Sequence, residues 1–137
     1  MIVLLALTAS AAAPECHGVP VQGMVDRYAA LIRKQDSASI AHLFGEDGTV
    51  DNPGAPPLRG EKAIRTFLSS FHGAVVKSEA MTVSGVRADG PGWRLEGRFH
   101  QTGRTPEGKD YDVAGSFDST WTCTAQGWRV KRMATGK

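Results

Sequence analysis

The sequence lacks a basic cluster or stripe. Its 16 Lys and Arg and 14 Asp and Glu are scattered, and the formal net charge is only +2. A dedicated nucleic-acid face concentrates positive charge, so no nucleic-acid partner is expected. A metal-ligand spacing is also missing. His17, His42, His72 and His100 stand far apart, and none pairs with Cys or carboxylates at a recognisable interval. No His sits where a Ser nucleophile would need its base. Apolar runs are too short to span a bilayer. Internal repeats, low-complexity stretches and linkers are absent, so the 137 residues read as one domain with one core. No cofactor is expected.

Residues 1–13 read as an export segment. Ile2 to Ala9 is apolar, and Ser10 to Ala13 supplies small residues for cleavage. No Lys or Arg precedes the apolar run, and Pro14 disfavours a cut directly after Ala13, so Ala11 or Ala12 fits better. Ala13, Pro14 and Glu15 before Cys16 do not form a Leu-x-x lipid-anchor pattern. A periplasmic or secreted location follows, with no membrane contact after processing. The alternative is a cytoplasmic protein with an apolar N-terminus. Cys16 and Cys123 are the only cysteines. In an oxidising compartment they form a disulfide that closes a loop of about a hundred residues, worth roughly 4–5 kcal/mol in the chain-entropy model. The alternative is two unpaired thiols, with Cys123 buried.

The chain is organised around EDGTVDNPGAPPLRGEKAIRTFLSSF, Glu46 to Phe71. A short strand (Thr49 to Asp51) runs into a turn holding Pro53, Gly54, Pro56 and Pro57, then Gly60 and a helix. A strand end followed by a helix is a good place to aim side chains into a cavity. Before it, Val21, Val25, Tyr28 and Ile32 recur at helical spacing over Pro20 to Gln35. Asp36 or Ser37 caps a second helix through Phe44, and Gly45 ends it. The third helix, Glu61 to Ser70, buries Ala63, Ile64, Phe67, Leu68 and Phe71.

From Ala74 the pattern becomes alternation with Gly-rich turns. Strands are expected at Val75 to Val86, Trp93 to Thr102, Tyr111 to Thr124 and Trp128 to Met133, with a bulge near Gly85. Trp93, Leu95, Gly97 and Phe99 share one face, as do Tyr111, Val113, Gly115, Phe117, Ser119, Trp121 and Cys123. Gly97 and Gly115 on these faces imply ligand space or strand curvature. Helices followed by antiparallel strands make an α+β domain in which a curved sheet wraps the helices. The opposite face offers small residues, Ala114, Ser116, Thr120 and Thr122, which suit an isologous homodimer.

The stretch RYAALIRKQDSASIAHLFGEDGTVDNPGAPPLRGEKAIRTF resembles the nuclear transport factor 2-like superfamily, in its SnoaL-like and ketosteroid-isomerase-like branch. The resemblance runs from Val21 to Met133, within a domain taken as residues 14–137. It implies a cone-shaped α+β barrel: three N-terminal helices packed in a strongly curved mixed sheet around one deep apolar pocket. In ketosteroid isomerase an Asp base works with an oxyanion hole of a Tyr and a protonated Asp. By this resemblance the oxyanion Tyr falls on Tyr28 and the base on Asn52, with Asp51 one position earlier. The oxyanion Asp falls near Ser119, beside Asp118. A carboxamide has no useful proton affinity near neutral pH, which counts against ketosteroid isomerase activity itself.

The resulting expectation is a pocket for a small apolar molecule contacted by Tyr28, Asn52, Trp93, Phe99, Phe117, Ser119 and Trp121. The alternative is an isomerase, cyclase or hydrolase with Asp51 as base and Tyr28 stabilising an enolate oxygen. A third reading is an interaction module with a vestigial pocket. Structural roles stand beside these: Tyr28 as a core residue, Asn52 as a brace of the Pro turn, and Ser119 as a small residue that leaves volume.

Overall fold

A computed structural model describes Cys16 and residues 18–136. The proposed export segment lies outside the described residues. Helix α1 spans Val21–Lys34 and ends at Gln35, whose left-handed backbone (φ 54°) lets its N–H close the last turn on Ile32. Helix α2 is Ser37–Phe44. Asp36 is its cap, accepting from the Ser39 N–H at 3.1 Å. Gly45 ends it at φ 71°.

Strand β1 (Thr49–Asp51) and strand β2 (Leu58–Arg59) form a small antiparallel pair across the Pro-rich turn. The sequence reading gave no strand after Pro57, because two residues carry no alternation to recognise. Helix α3 is Glu61–Ser69. Four long strands follow: β3 (Val75–Asp89), β4 (Gly92–Arg104), β5 (Asp110–Thr124) and β6 (Gly127–Gly136). They pair antiparallel in sequence order, and β1 joins β6 in parallel, giving a mixed sheet ordered β2-β1-β6-β5-β4-β3. Register shifts at Val76/Ser78, Val83/Gly85 and Thr120/Trp121 put bulges into β3 and the β5–β6 pair. Bulges bend strands and increase local twist, so the sheet curves.

All three helices lie against the sheet or each other: α1 along β3, and α2 against α3 and β6. Val25, Ile40, Leu43, Ile64, Leu95, Trp121, Val130 and Met133 form the buried centre. Ala63 and Phe71 depart from the expected buried stripe, both being exposed. Helix α3 stops at Ser69, and Phe71 is 50% exposed, its ring set edge-on against Phe67 at 5.1 Å.

Two glutamines pin α1 to β3. The Gln22 amide donates to the Met81 carbonyl at 2.8 Å and accepts from the Val83 N–H at 3.0 Å. Gln35 does the same with the Ala74 carbonyl (2.8 Å) and the Val76 N–H (3.0 Å). These contacts fix the register between helix and strand at both ends of the segment that faces the cavity. Cys16 and Cys123 are joined by a disulfide, with Cα atoms 6.0 Å apart, which ties the start of the described chain to the end of β5.

Gly97 and Gly115 do not open ligand space. Each stands opposite an aromatic residue across β4 and β5: Gly97 opposite Phe117, and Gly115 opposite Phe99. A Cβ on Gly97 would come within 2.7 Å of the Phe117 ring, and one on Gly115 within 2.9 Å of the Phe99 ring. The glycines hold the rings flat against the curved sheet.

Candidate functional site

The space between the helices and the inner sheet face contains two adjoining chambers. The inner one has a volume of about 230 Å³, and the outer one about 440 Å³. Ile32, Ile40, Leu68 and Gln101 line both. Most of the inner wall is apolar, including Phe44, Ile64, Phe67, Met81 and Phe99. The polar groups facing it are few: Tyr28 from α1, Asn52 after β1, Glu79 from β3, Gln101 from β4 and Thr135 from β6. Apolar walls with a few convergent polar groups are the usual form of a small-molecule site.

Tyr28 packs its ring edge-on against Phe44, centroids 6.1 Å apart. Its hydroxyl makes no hydrogen bond among the described residues, and burial, with the Glu79 charge second, pushes its proton affinity up. It is therefore a neutral donor at ordinary pH.

Glu79 is only 9% exposed. Its Oε2 accepts from the Gln101 amide at 2.7 Å, and Gln101 in turn accepts from the Tyr111 hydroxyl at 2.9 Å. Burial raises the Glu79 carboxyl above its ordinary value, partly offset by the Gln101 bond and the nearby His100. Four acidic groups of the outer sheet face are paired with cations or His. Asp118 is held by Arg94, Asp51 by Arg132, Glu96 by Arg87 and Asp112 by His100. Glu79 forms no ion pair among the described residues: its hydrogen-bond partner is a neutral amide, and His100 acts on it only through space. Among the described residues lining either chamber there is no Lys, Arg or His, and the charged ones are Glu79 and Glu107.

The expected site residues divide. Tyr28, Asn52 and Phe99 line the inner chamber. The other expected contacts do not. Asp51 follows strand alternation outward and forms an ion pair with Arg132 at 2.8 Å on the opposite face. Trp93 shares the inner face of β4 but sits at its far end, beyond the helices, and is 37% exposed. Phe117 and Trp121 are buried in packing. Ser119 is fully buried, and its hydroxyl is occupied twice: it donates to the Leu95 carbonyl at 3.3 Å and accepts from the Trp121 indole at 2.9 Å. Asn52 braces the turn through its backbone rather than its side chain. Its backbone carbonyl accepts from Ala55 across the turn, and its side-chain oxygen accepts from Thr135 at 3.3 Å.

Glu79, Gln101 and Tyr111 were missed as site residues. The signal was present: Glu79, Met81 and Val83 are spaced by two, which puts a lone carboxylate on an otherwise apolar strand face.

The SnoaL-like domain pattern matches residues 20–134, nearly the whole described chain. The chain belongs to the SnoaL-like domain family. A "Steroid Delta-isomerase" of Nocardioides simplex is 36% identical over 67 residues, which cover 48% of this chain. The match spans 54% of that enzyme's length. A ketosteroid isomerase-like protein from Erwinia carotovora atroseptica superposes with TM-score 0.71 at 17% identity, over 81% of this chain and 88% of its own. A nuclear transport factor 2-like superfamily protein from Salmonella enterica gives 0.70 at 17% identity, over 85% and 87%. At these identities the structures establish a shared fold.

Proposed function

We propose that this is an exported SnoaL-like protein whose cavity, closed into a cone by the curved sheet, takes a small apolar molecule bearing a carbonyl group. The observation that carries this reading is the unengaged Tyr28 hydroxyl inside an apolar chamber, a donor with no acceptor of the protein's own. Acidic-only lining disfavours anionic ligands and suits neutral ones. The Cys16–Cys123 disulfide supports export, since such bonds persist in oxidising compartments. Self-association through the outer sheet face, with Ala114, Thr120 and Thr122 among charges already paired internally, is part of the same proposal. A proton-transfer enzyme is the second reading. Asp51 points away from the cavity, so that reading draws its support from Glu79 and from the steroid isomerase relative.

The test is native mass spectrometry of the protein secreted by an expression host, under non-reducing conditions. A retained small molecule, lost in Tyr28→Phe, is the expected result, together with the dimer mass and a chain cut near residue 12. A chamber that stays empty and fails to bind neutral carbonyl compounds of its size sinks the binding reading.

A further inference from the structure

We propose that Glu79, from the β3 wall, is the general base of this cavity, acting on a carbon acid whose carbonyl oxygen rests on Tyr28. The proposal rests on the reading that a small apolar carbonyl compound enters the chamber. Three observations carry it.

First, Glu79 forms no ion pair among the described residues and feels His100 only through space, while Asp118, Asp51, Glu96 and Asp112 of the outer face each have an ion-pair partner. A carboxylate buried only to hold the fold needs a cation or several donors, because burying it alone is costly. Here one oxygen, Oε2, is held by Gln101, and Oε1 has no hydrogen-bond partner among the described residues. One oxygen is anchored and the other is free at the chamber wall.

Second, the anchor is itself fixed. The Tyr111 hydroxyl donates to the Gln101 carbonyl oxygen, so the amide N–H₂ must face Glu79. Gln101 is a positioning residue. Its N–H favours the charged carboxylate, while burial favours the neutral acid. The carboxylate is available as a base yet poorly solvated, which strengthens it toward a weakly acidic C–H.

Third, Tyr28 and Glu79 line the same chamber and come from elements pinned together on both sides of the pair. The Gln22 and Gln35 contacts bracket Tyr28 on α1 and Glu79 on β3.

The step balances within the substrate. Glu79 takes a proton from the carbon next to the carbonyl. The C–H pair becomes a carbon–carbon π bond, and the carbonyl π pair moves to oxygen, where the Tyr28 O–H donates to it. The proton held on Glu79 returns to carbon, at the same position or a conjugated one. Nothing is oxidised or reduced, and no co-reactant is required. The assignment differs from the resemblance, which placed the carboxylate at the end of β1.

The probe is 5-nitrobenzisoxazole, a small neutral carbon acid. Removal of its C3 proton breaks the ring N–O bond and releases a coloured cyanonitrophenolate. The whole chain, disulfide intact, is expected to open it with saturation, and kcat should rise with pH as Glu79 ionises. Glu79→Gln should lower kcat by at least about a hundredfold, the lower end of general-base contributions, with KM little changed. Glu79→Asp should retain part of the rate, which guards against a folding defect. Gln101→Leu should move the pH profile upward, because the carboxylate loses its donor; a purely structural Gln101 would change stability and leave the midpoint in place. Saturable binding without turnover, or a Glu79→Gln variant as fast as the parent, overturns the base assignment and leaves the pocket reading standing. Lack of saturation overturns both.

Discussion

Strands β3 and β5 both turn side chains to the inner face of the sheet but are built differently. Along β5, Phe117, Ser119 and Trp121 are packed to closure, their polar atoms spent on one another and on the Leu95 carbonyl. Along β3 and its neighbour β4, Glu79 and Gln101 keep polar atoms at an open surface, and Tyr28 does so from the helix opposite. Position in a family pattern thus locates a wall without fixing its chemistry. The residue near which the resemblance placed an oxyanion acid, Ser119, became a strut. The residue it did not mark, Glu79, keeps one carboxylate oxygen without a hydrogen-bond partner among the described residues. In this cavity packing density separates structural polar groups from available ones.

That contrast can be broken from the β5 side first. Replacing both Cys16 and Cys123 with Ser should cost roughly 4 kcal/mol in urea unfolding, the scale for a loop of this length. A loss near zero would mean that the bridge adds little to β5. Gly97→Val should come next, at about 1–3 kcal/mol or more, because the new side chain meets the Phe117 ring and the Thr82 carbonyl. If that variant is instead as stable as the parent, the wall is looser than described. Ser119→Ala strands the buried Trp121 indole N–H, for about 1–3 kcal/mol, with affinity for neutral carbonyl compounds unchanged. A selective loss of affinity would return Ser119 to the site.

The smallest effect sharpens the β3 side. Burial holds the Glu79 carboxyl above its ordinary value of 4.5, so the folded chain keeps that proton more tightly than the unfolded one. The stabilisation from this group is complete below 4.5 and is lost as pH rises through the raised value. Glu79→Gln is neutral throughout and lacks the drift. Its stability relative to the parent should therefore improve between pH 4 and neutrality, as measured by urea unfolding at a series of pH values. A difference that stays flat with pH would show that Glu79 is not held in a raised state.

Much of this architecture was legible in the chain. Helical spacing in Val21, Val25, Tyr28 and Ile32, and alternation after Ala74, place the three helices and four long strands within a few residues. Alternation also put Asp51 and Asn52 on opposite faces. Other features needed the third dimension. Whether an inward residue meets a cavity or a neighbouring ring depends on where the helices end above it. Trp93 and Phe99 share one strand face, and only Phe99 lies beneath the helices. The part played by Gly97 and Gly115 depends on cross-strand register, which sets Phe117 and Phe99 opposite them. Glu79 was readable as an inward carboxylate, but its lack of an ion-pair partner among the described residues is a fact about residues distant in sequence.

The glutamine clasps of α1 carry a consequence for how this sheet meets other molecules. β3 is a long edge strand, and its outward backbone groups are a template on which a foreign strand could assemble. Gln22 and Gln35 already occupy three of those groups, at Val76, Met81 and Val83, and the Ala74 carbonyl just before the strand. Each amide mimics a peptide unit of an absent neighbour. The opposite edge, β2, is two residues long and gives little to build on. A sheet with both borders blunted in this way resists growing sideways into fibrils.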